Sequence, residues 1–323
     1  MKISYFIYCF AVSILVNYSC KPTPNTVQDS PPQQEQIQIR KSTQALLLTQ
    51  PRPFSLDDKN KISGDYIVQE AIVVPQDLAP QNKWIMFEGP VLENDLIAYR
   101  YYADSRHRFD IYGKRVPDLV MDTVSWDYHD IMDWGSDILK VGNSLGLGSP
   151  AIYYNDSLYT LSQCSEKRIE ILENGDDRSS IRTIFKDLSI DEHSFDLVQD
   201  WSITSGKPWS EIHLKISDGK LPDNMYFATG IVKHLPDIKI EKDDQYLYAM
   251  NWGKQTFHDE DMGMALIADN DFVPEKIDND MSHVIIFKNA KHEVKYRFLA
   301  AWEKDLNGVK DDASFQELVI NSQ

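Results

Sequence analysis

The stretch Trp126-Asp-Tyr-His-Asp-Ile-Met-Asp-Trp-Gly-Ser-Asp-Ile-Leu-Lys-Val-Gly-Asn-Ser-Leu-Gly-Leu-Gly148 holds the densest set of groups in this chain that can do chemistry. His129 titrates near neutral pH and can act as an acid or a base. Asp133 and Asp137 flank Trp134-Gly135, and Lys140 adds a cation. Paired carboxylates of this kind can orient an imidazole, accept hydrogen bonds from hydroxyl groups, or ligate calcium. The segment has no second histidine and no cysteine pair, so it does not describe a zinc site, and no cofactor is expected. It keeps neither a helical nor a strand period, and Gly135, Gly142, Gly146 and Gly148 mark turns or close backbone approach. Loops carried on a rigid scaffold are where function concentrates. The same aspartates would also suit a long, well-capped connection.

Three arginines, Arg100, Arg106 and Arg108, could grip a carboxylate through two parallel hydrogen bonds, although each also fits a surface ion pair. Arg100 stands between Tyr99 and Tyr101, and Tyr101 is a second acid or base candidate or a packing residue. Trp126, Trp134, Trp209 and Trp252 offer flat rings for stacking, or simply core volume. Trp252-Gly-Lys254-Gln255-Thr brings an aromatic, a cation and an amide close together, a mixture suited to recognising polyhydroxylated ligands. No Gly-x-Ser-x-Gly elbow, phosphate-binding loop or dinucleotide fingerprint accompanies them.

The elements that must position these groups read as strands. From about Ser63 onward, short apolar runs alternate with turn residues such as Asn174-Gly175-Asp-Asp and Asp218-Gly219-Lys-Leu-Pro. In Asp95-Leu-Ile-Ala-Tyr-Arg-Tyr-Tyr, the alternation puts Leu96, Ala98 and Arg100 on one face and Ile97, Tyr99 and Tyr101 on the other. Only Ala313–Asn321 predicts a helix. So many strands at short spacing, without intervening amphipathic helices, indicate an all-β chain built as one large antiparallel sandwich over residues 63–323.

The N-terminus predicts export. Lys2 is followed by an apolar run, Ile3 to Val16, of signal-peptide length, and Ser19-Cys20 resembles the lipobox of bacterial lipoproteins. On that reading residues 1–19 are a signal peptide and Cys20 carries lipid. Residues 20–62, rich in proline and glutamine at their start, form a disordered tether. The protein is then expected in the bacterial cell envelope, on the outer membrane, held by its lipid alone. The plain alternative is a secretory signal with a chance cysteine. Cys9 leaves with the signal, so Cys164 remains as a lone thiol and the core must hold the fold without disulfides. The chain carries a net charge of −17, and losing residues 1–19 removes only Lys2, giving −18. Such a body is a poor partner for nucleic acid.

Four blocks together resemble a known family. They are Phe87-Glu-Gly-Pro-Val-Leu-Glu-Asn-Asp-Leu-Ile-Ala-Tyr-Arg100, Ile111-Tyr-Gly-Lys-Arg115, Tyr128-His129 with Asp133–Gly148, and Trp252–Thr256 with Met262-Gly-Met-Ala-Leu266. Over Gly64 to Trp302 the chain resembles the bacterial family catalogued as domain of unknown function 4861. The resemblance implies a galactose-mutarotase-like super-sandwich and an exported lipoprotein encoded beside polysaccharide-degrading enzymes. It implies a dehydratase acting on oligosaccharides that contain uronic acids. That chemistry needs a base for the proton alpha to the carboxylate, a cation for the developing charge and an acid for the departing hydroxyl. His129, Arg100, Tyr101 and Asp133 are then the catalytic candidates. Arg106, Trp134, Asp137, Lys140, Trp252, Lys254 and Gln255 would bind the oligosaccharide. A glycan-binding lipoprotein without catalysis, a glycoside hydrolase and a sugar epimerase or mutarotase remain open alternatives.

Overall fold

Short apolar runs become strands wherever a neighbouring run can complete their backbone hydrogen bonds. The computed structural model describes residues 41–51 and 65–323. In chain order the strands begin with β1 (Thr43–Leu46), β2 (Leu48–Thr49), β3 (Ile67–Val68), β4 (Ala71–Val74), β5 (Val91–Asn94), β6 (Ile97–Tyr101) and β7 (Phe109–Lys114). They continue with β8 (Gly135–Asp137), β9 (Ala151–Tyr154), β10 (Ser157–Thr160), β11 (Glu166–Asn174), β12 (Arg178–Ile190), β13 (His193–Thr204) and β14 (Trp209–Ile216). The last are β15 (Tyr226–Val232), β16 (Lys239–Lys242), β17 (Tyr246–Lys254), β18 (Asp261–Asp269), β19 (Pro274–Asp278), β20 (Ser282–Phe287) and β21 (Glu293–Trp302).

One nine-stranded sheet, ordered β16-β17-β18-β21-β14-β13-β12-β11-β4, forms the base. Two five-stranded sheets, β1-β5-β6-β7-β8 and β10-β9-β15-β20-β19, share one continuous core with it. Ring contacts tie the layers: Phe109 meets Trp201 edge-on at 4.9 Å and Phe298 at 5.4 Å, and Phe287 stacks on Tyr296 at 5.6 Å. Aromatic pairs in these geometries add roughly 0.5–1.5 kcal/mol each beyond the area they bury. The all-β, antiparallel architecture expected from the strand spacing is the one observed. Every ladder between named strands is antiparallel.

The helix falls where its periodicity puts it. Helix α1 spans Asp312–Ile320, with Asp311 and Ser314 forming a reciprocal capping box. It lays Phe315 and Val319 on the outer face of the nine-stranded sheet, against Tyr248, Met250, Ile267 and Leu299.

Two sequence readings need correction or a limit. The tether was expected to run to residue 62, yet Thr43–Leu46 pairs with β5, and Ala45 and Leu47 are fully buried. The apolar run Ala45-Leu-Leu-Leu48 gains more from core burial than from solvent, which the polar composition around it obscured. The signal peptide and Cys20 lie outside the described residues.

Candidate functional site

The alternation in β6 does what its pattern requires. Ile97, Tyr99 and Tyr101 enter the main core, and Ala98 joins a second apolar cluster on the far side of the sheet. That far side is covered by the turn Met86–Glu88 and by the long loop between β7 and β8, which contributes Met121, Tyr128 and the half-buried Trp126 and Trp134. Arg100 therefore sits under a lid of protein, 1% exposed.

Its guanidinium is fully occupied. Nε and Nη2 donate to Asp110 Oδ2 at 3.2 and 2.8 Å, and Nη2 also donates to Asp137 Oδ2 at 3.0 Å and Tyr102 Oη at 3.0 Å. Nη1 donates to the Phe87 carbonyl at 2.8 Å and to Tyr128 Oη at 3.1 Å. The rings of Tyr102 and Tyr128 lie 4.6 and 5.1 Å from its Cζ. A buried arginine survives only when its donors meet acceptors and its charge meets carboxylates. One cation here serves two buried acids.

The loop that forms the lid is pinned by a second buried pair. Lys114 Nζ lies 2.6 Å from Glu93 Oε1, both fully buried, and donates to the carbonyls of Asn94 and Asp118. Glu93 in turn accepts the backbone N–H groups of Val120 and Met121. Farther along, the Asp137 N–H donates to the Tyr128 carbonyl at 2.8 Å, which closes the loop into β8 and fixes the residue after Tyr128. Gly135 makes this closure possible: at φ +141° a Cβ would stand 1.9 Å from the Gly113 carbonyl oxygen.

The residue so fixed is His129. Its Nδ1 lies 3.3 Å from Asp137 Oδ2, while its side chain remains 55% exposed. Partial burial lowers its pKa and the Arg100 charge lowers it further, with Asp110 and Glu88 opposing, so the ring is neutral at physiological pH. Asp137 is held well above the usual carboxylate range by burial, then by the neighbouring Asp110 charge, against the pull of Arg100. The arrangement is a half-exposed imidazole whose Nδ1 faces a buried acid braced by Arg100.

The hairpin between β17 and β18 completes the rim. Leu139 bridges to Thr256, and the Phe257 N–H donates to the Ile138 carbonyl at 2.7 Å. This stacks the Phe257 ring, 55% exposed, on His129 at 5.9 Å. His258 Nε2 meets Ser136 Oγ at 3.0 Å. On the other side Lys83 holds its ammonium 3.3 Å from the Trp126 ring centre, within electrostatic reach of His129 and Glu88.

Several sequence candidates have other duties. Arg100 cannot grip a substrate, because protein acceptors use its guanidinium; it braces Asp137 instead. Tyr101 points into the main core and bonds Thr183, so it is packing and not an acid or base. Asp133 is exposed, and the carboxylate beside His129 is Asp137. Arg106 is locked onto Asp104 and Glu88. Trp134 packs against Tyr112 and Trp252 against Phe315 beneath α1. Gln255 is buried, donating to Asn251 and the Met262 carbonyl, and exposed Lys254 donates to the Asp259 carbonyl. Lys140 is exposed and offers its carbonyl to His234. Arg108 binds the Gly142 carbonyl. Of the candidates, His129, Asp137 and Arg100 form one cluster.

Glu88, Asp110, Tyr102, Lys83, Phe257 and His258 join that cluster unannounced by the sequence. Glu88 stood inside a family-like block, and Phe257-His258 directly follows another, which was the one available signal.

Comparison with known proteins adds the following. Among solved structures the chain is similar to an α-mannosidase from Enterococcus faecalis V583, at TM-score 0.37 and 8% identity over 72% of this chain and 31% of that one. It is also similar to a proposed aldose 1-epimerase from Klebsiella pneumoniae, at TM-score 0.37 and 8% identity over 87% of this chain and 95% of that one. The chain thus spans less than a third of the mannosidase. No curated protein matches it. The family model described as domain of unknown function (DUF4861) matches residues 23–322. The chain belongs to that family.

Proposed function

We propose that the protein is a carbohydrate-active hydro-lyase that removes water from a uronic-acid residue of an oligosaccharide, with His129 as its base. The observation that carries this reading is the His129–Asp137–Arg100 relay: a half-exposed imidazole 3.3 Å from a buried acid, itself 3.0 Å from a buried guanidinium. A carboxylate beside Nδ1 favours the tautomer whose Nε2 lone pair can take a proton.

In this mechanism His129 Nε2 takes the proton alpha to the carboxylate. The C–H pair becomes the new C=C bond as the hydroxyl on the next carbon leaves. His258, whose Nε2 is occupied by Ser136, gives a proton from its Nδ1 edge to that hydroxyl, which departs as water. Lys83 pairs with the substrate carboxylate and stabilises the enolate-like charge, the task that Arg100 is too buried to perform. Phe257 offers its exposed face to a sugar ring. The same reading holds the mature protein to the bacterial outer membrane through lipid on Cys20, which Cys20→Ser should release into the soluble fraction.

The test is incubation with uronic-acid oligosaccharides while following the absorbance of an unsaturated product and its mass. Loss of one water with the chain intact supports the proposal. Chain cleavage instead points to a lyase or hydrolase, and affinity without any change in mass points to a binding protein; either result overturns it.

A further inference from the structure

Lys167 lies on β11, between β4 and β12, and is 6% exposed. A buried ammonium ordinarily requires a carboxylate partner. Here Nζ is bonded to two backbone oxygens, those of Ala103 at 3.2 Å and Asp104 at 3.0 Å, while the Asp104 carboxylate is turned to Arg106. The Phe185 ring closes one side at 5.6 Å. Lys167 also borders a cavity of ≈ 130 Å³, together with Asp104, Ser105, Gln163 and Cys164. The cavity has room for a molecule of a few carbon atoms.

A neutral amine has two N–H bonds and one lone pair. The two carbonyl oxygens take the two N–H bonds, so the lone pair falls on the remaining tetrahedral position. Burial brings the Lys167 pKa down to about 8, with Cys164 and Asp104 opposing. Roughly a tenth of the amine is then neutral at pH 7, against fewer than about one in a thousand for an exposed lysine. The neighbouring Cys164 is pushed up by its own burial and stays a thiol, so it is not the competing nucleophile. His107, the other titratable group facing Lys167, is buried and held neutral.

We propose that Lys167 and this cavity form a covalent site for a small aldehyde or ketone, separate from the His129 face. The amine lone pair attacks the carbonyl carbon and a C–N bond forms. The carbonyl oxygen then leaves as water with both amine hydrogens, and a C=N bond remains.

The experiment treats the folded protein with glycolaldehyde at pH 7 in the presence of cyanoborohydride, which reduces the imine to a stable amine. Peptide mapping then ranks every lysine by its rate of modification. Lys167 should react at least about tenfold faster than the exposed lysines, given its neutral fraction. In Lys167→Arg, which keeps a buried cation, that fast phase should vanish while the slow surface modification persists. If Lys167 stays unmodified, or reacts no faster than surface lysines in the native protein, the proposal is wrong. That ranking is read on the native chain, so it decides the matter even if the variant fails to fold.

Discussion

Arg100→Met tests the electrostatic core of the site. The methionine fills similar length without charge and leaves Asp110 and Asp137, both about 2% exposed or less, with no cation between them. Asp110 would keep the Tyr102 hydroxyl and Asp137 the His129 contact, but the six donated hydrogen bonds of the guanidinium are lost. Breaking a buried pair by removing one partner costs about 3–5 kcal/mol, and the middle of that range, about 4 kcal/mol, is expected at neutral pH. For a body of this size that corresponds to a fall of roughly 10 °C in Tm. The sign with pH follows from the acids left behind. Without the cation the folded-state pKa of Asp137, already raised by burial, rises further above the unfolded value near 4. A raised acid contributes stability below its unfolded pKa and loses it as pH rises. The deficit of the variant should therefore shrink toward pH 4 and grow toward pH 7. Urea unfolding of both proteins at several pH values measures this. A deficit below about 1 kcal/mol, or one independent of pH, would refute the assignment of Arg100 as counter-ion to two buried carboxylates.

Further outcomes follow from single contacts. His129→Ala should cut turnover by about 10²–10⁴-fold, yet shift unfolding by less than about 0.5 kcal/mol because the side chain is 55% exposed; full activity in the variant would remove His129 from the mechanism. Gly135→Ala should destabilise by about 3 kcal/mol through strained backbone and the clash with Gly113, lowering activity as the His129 loop loosens, and an unchanged Tm would contradict this. Asp305 is raised to about 6 by burial, against the N–H groups of Trp302 and Asn307. Its contribution is present below about pH 4 and lost as pH rises through 6, so the stability of the native protein relative to Asp305→Asn should fall by about 3 kcal/mol across that window. A flat difference would show that the carboxylate is solvated.

The sandwich was readable because a strand with one face in the core must alternate. Asp95–Tyr102 announced which side chains share a face, and the structure keeps Ala98 and Arg100 opposite Ile97, Tyr99 and Tyr101. The helix over residues 312–320 was equally visible, since its apolar spacing and capping residues are local. Val91–Asn94 and Gly135–Asp137 were not, because runs this short carry no period of their own and become strands only through partners on either side.

The amino-acid order by itself thus determined the fold class, the two faces of β6, the helix, and the segment around His129 as the place to look. Tertiary structure alone decided what covers each face. Alternation says that Arg100 points away from Ile97, but not whether water or protein meets it there. The loop ending at Trp134 closes over it, pinned by Glu93 and Lys114, and turns a presumed substrate grip into a buried brace for Asp137. The partners of His129 come from three separate parts of the chain, at Lys83, Asp137 and Phe257. Their meeting depends on how strands distant in sequence register against one another, a free energy summed over many contacts that no local spacing encodes.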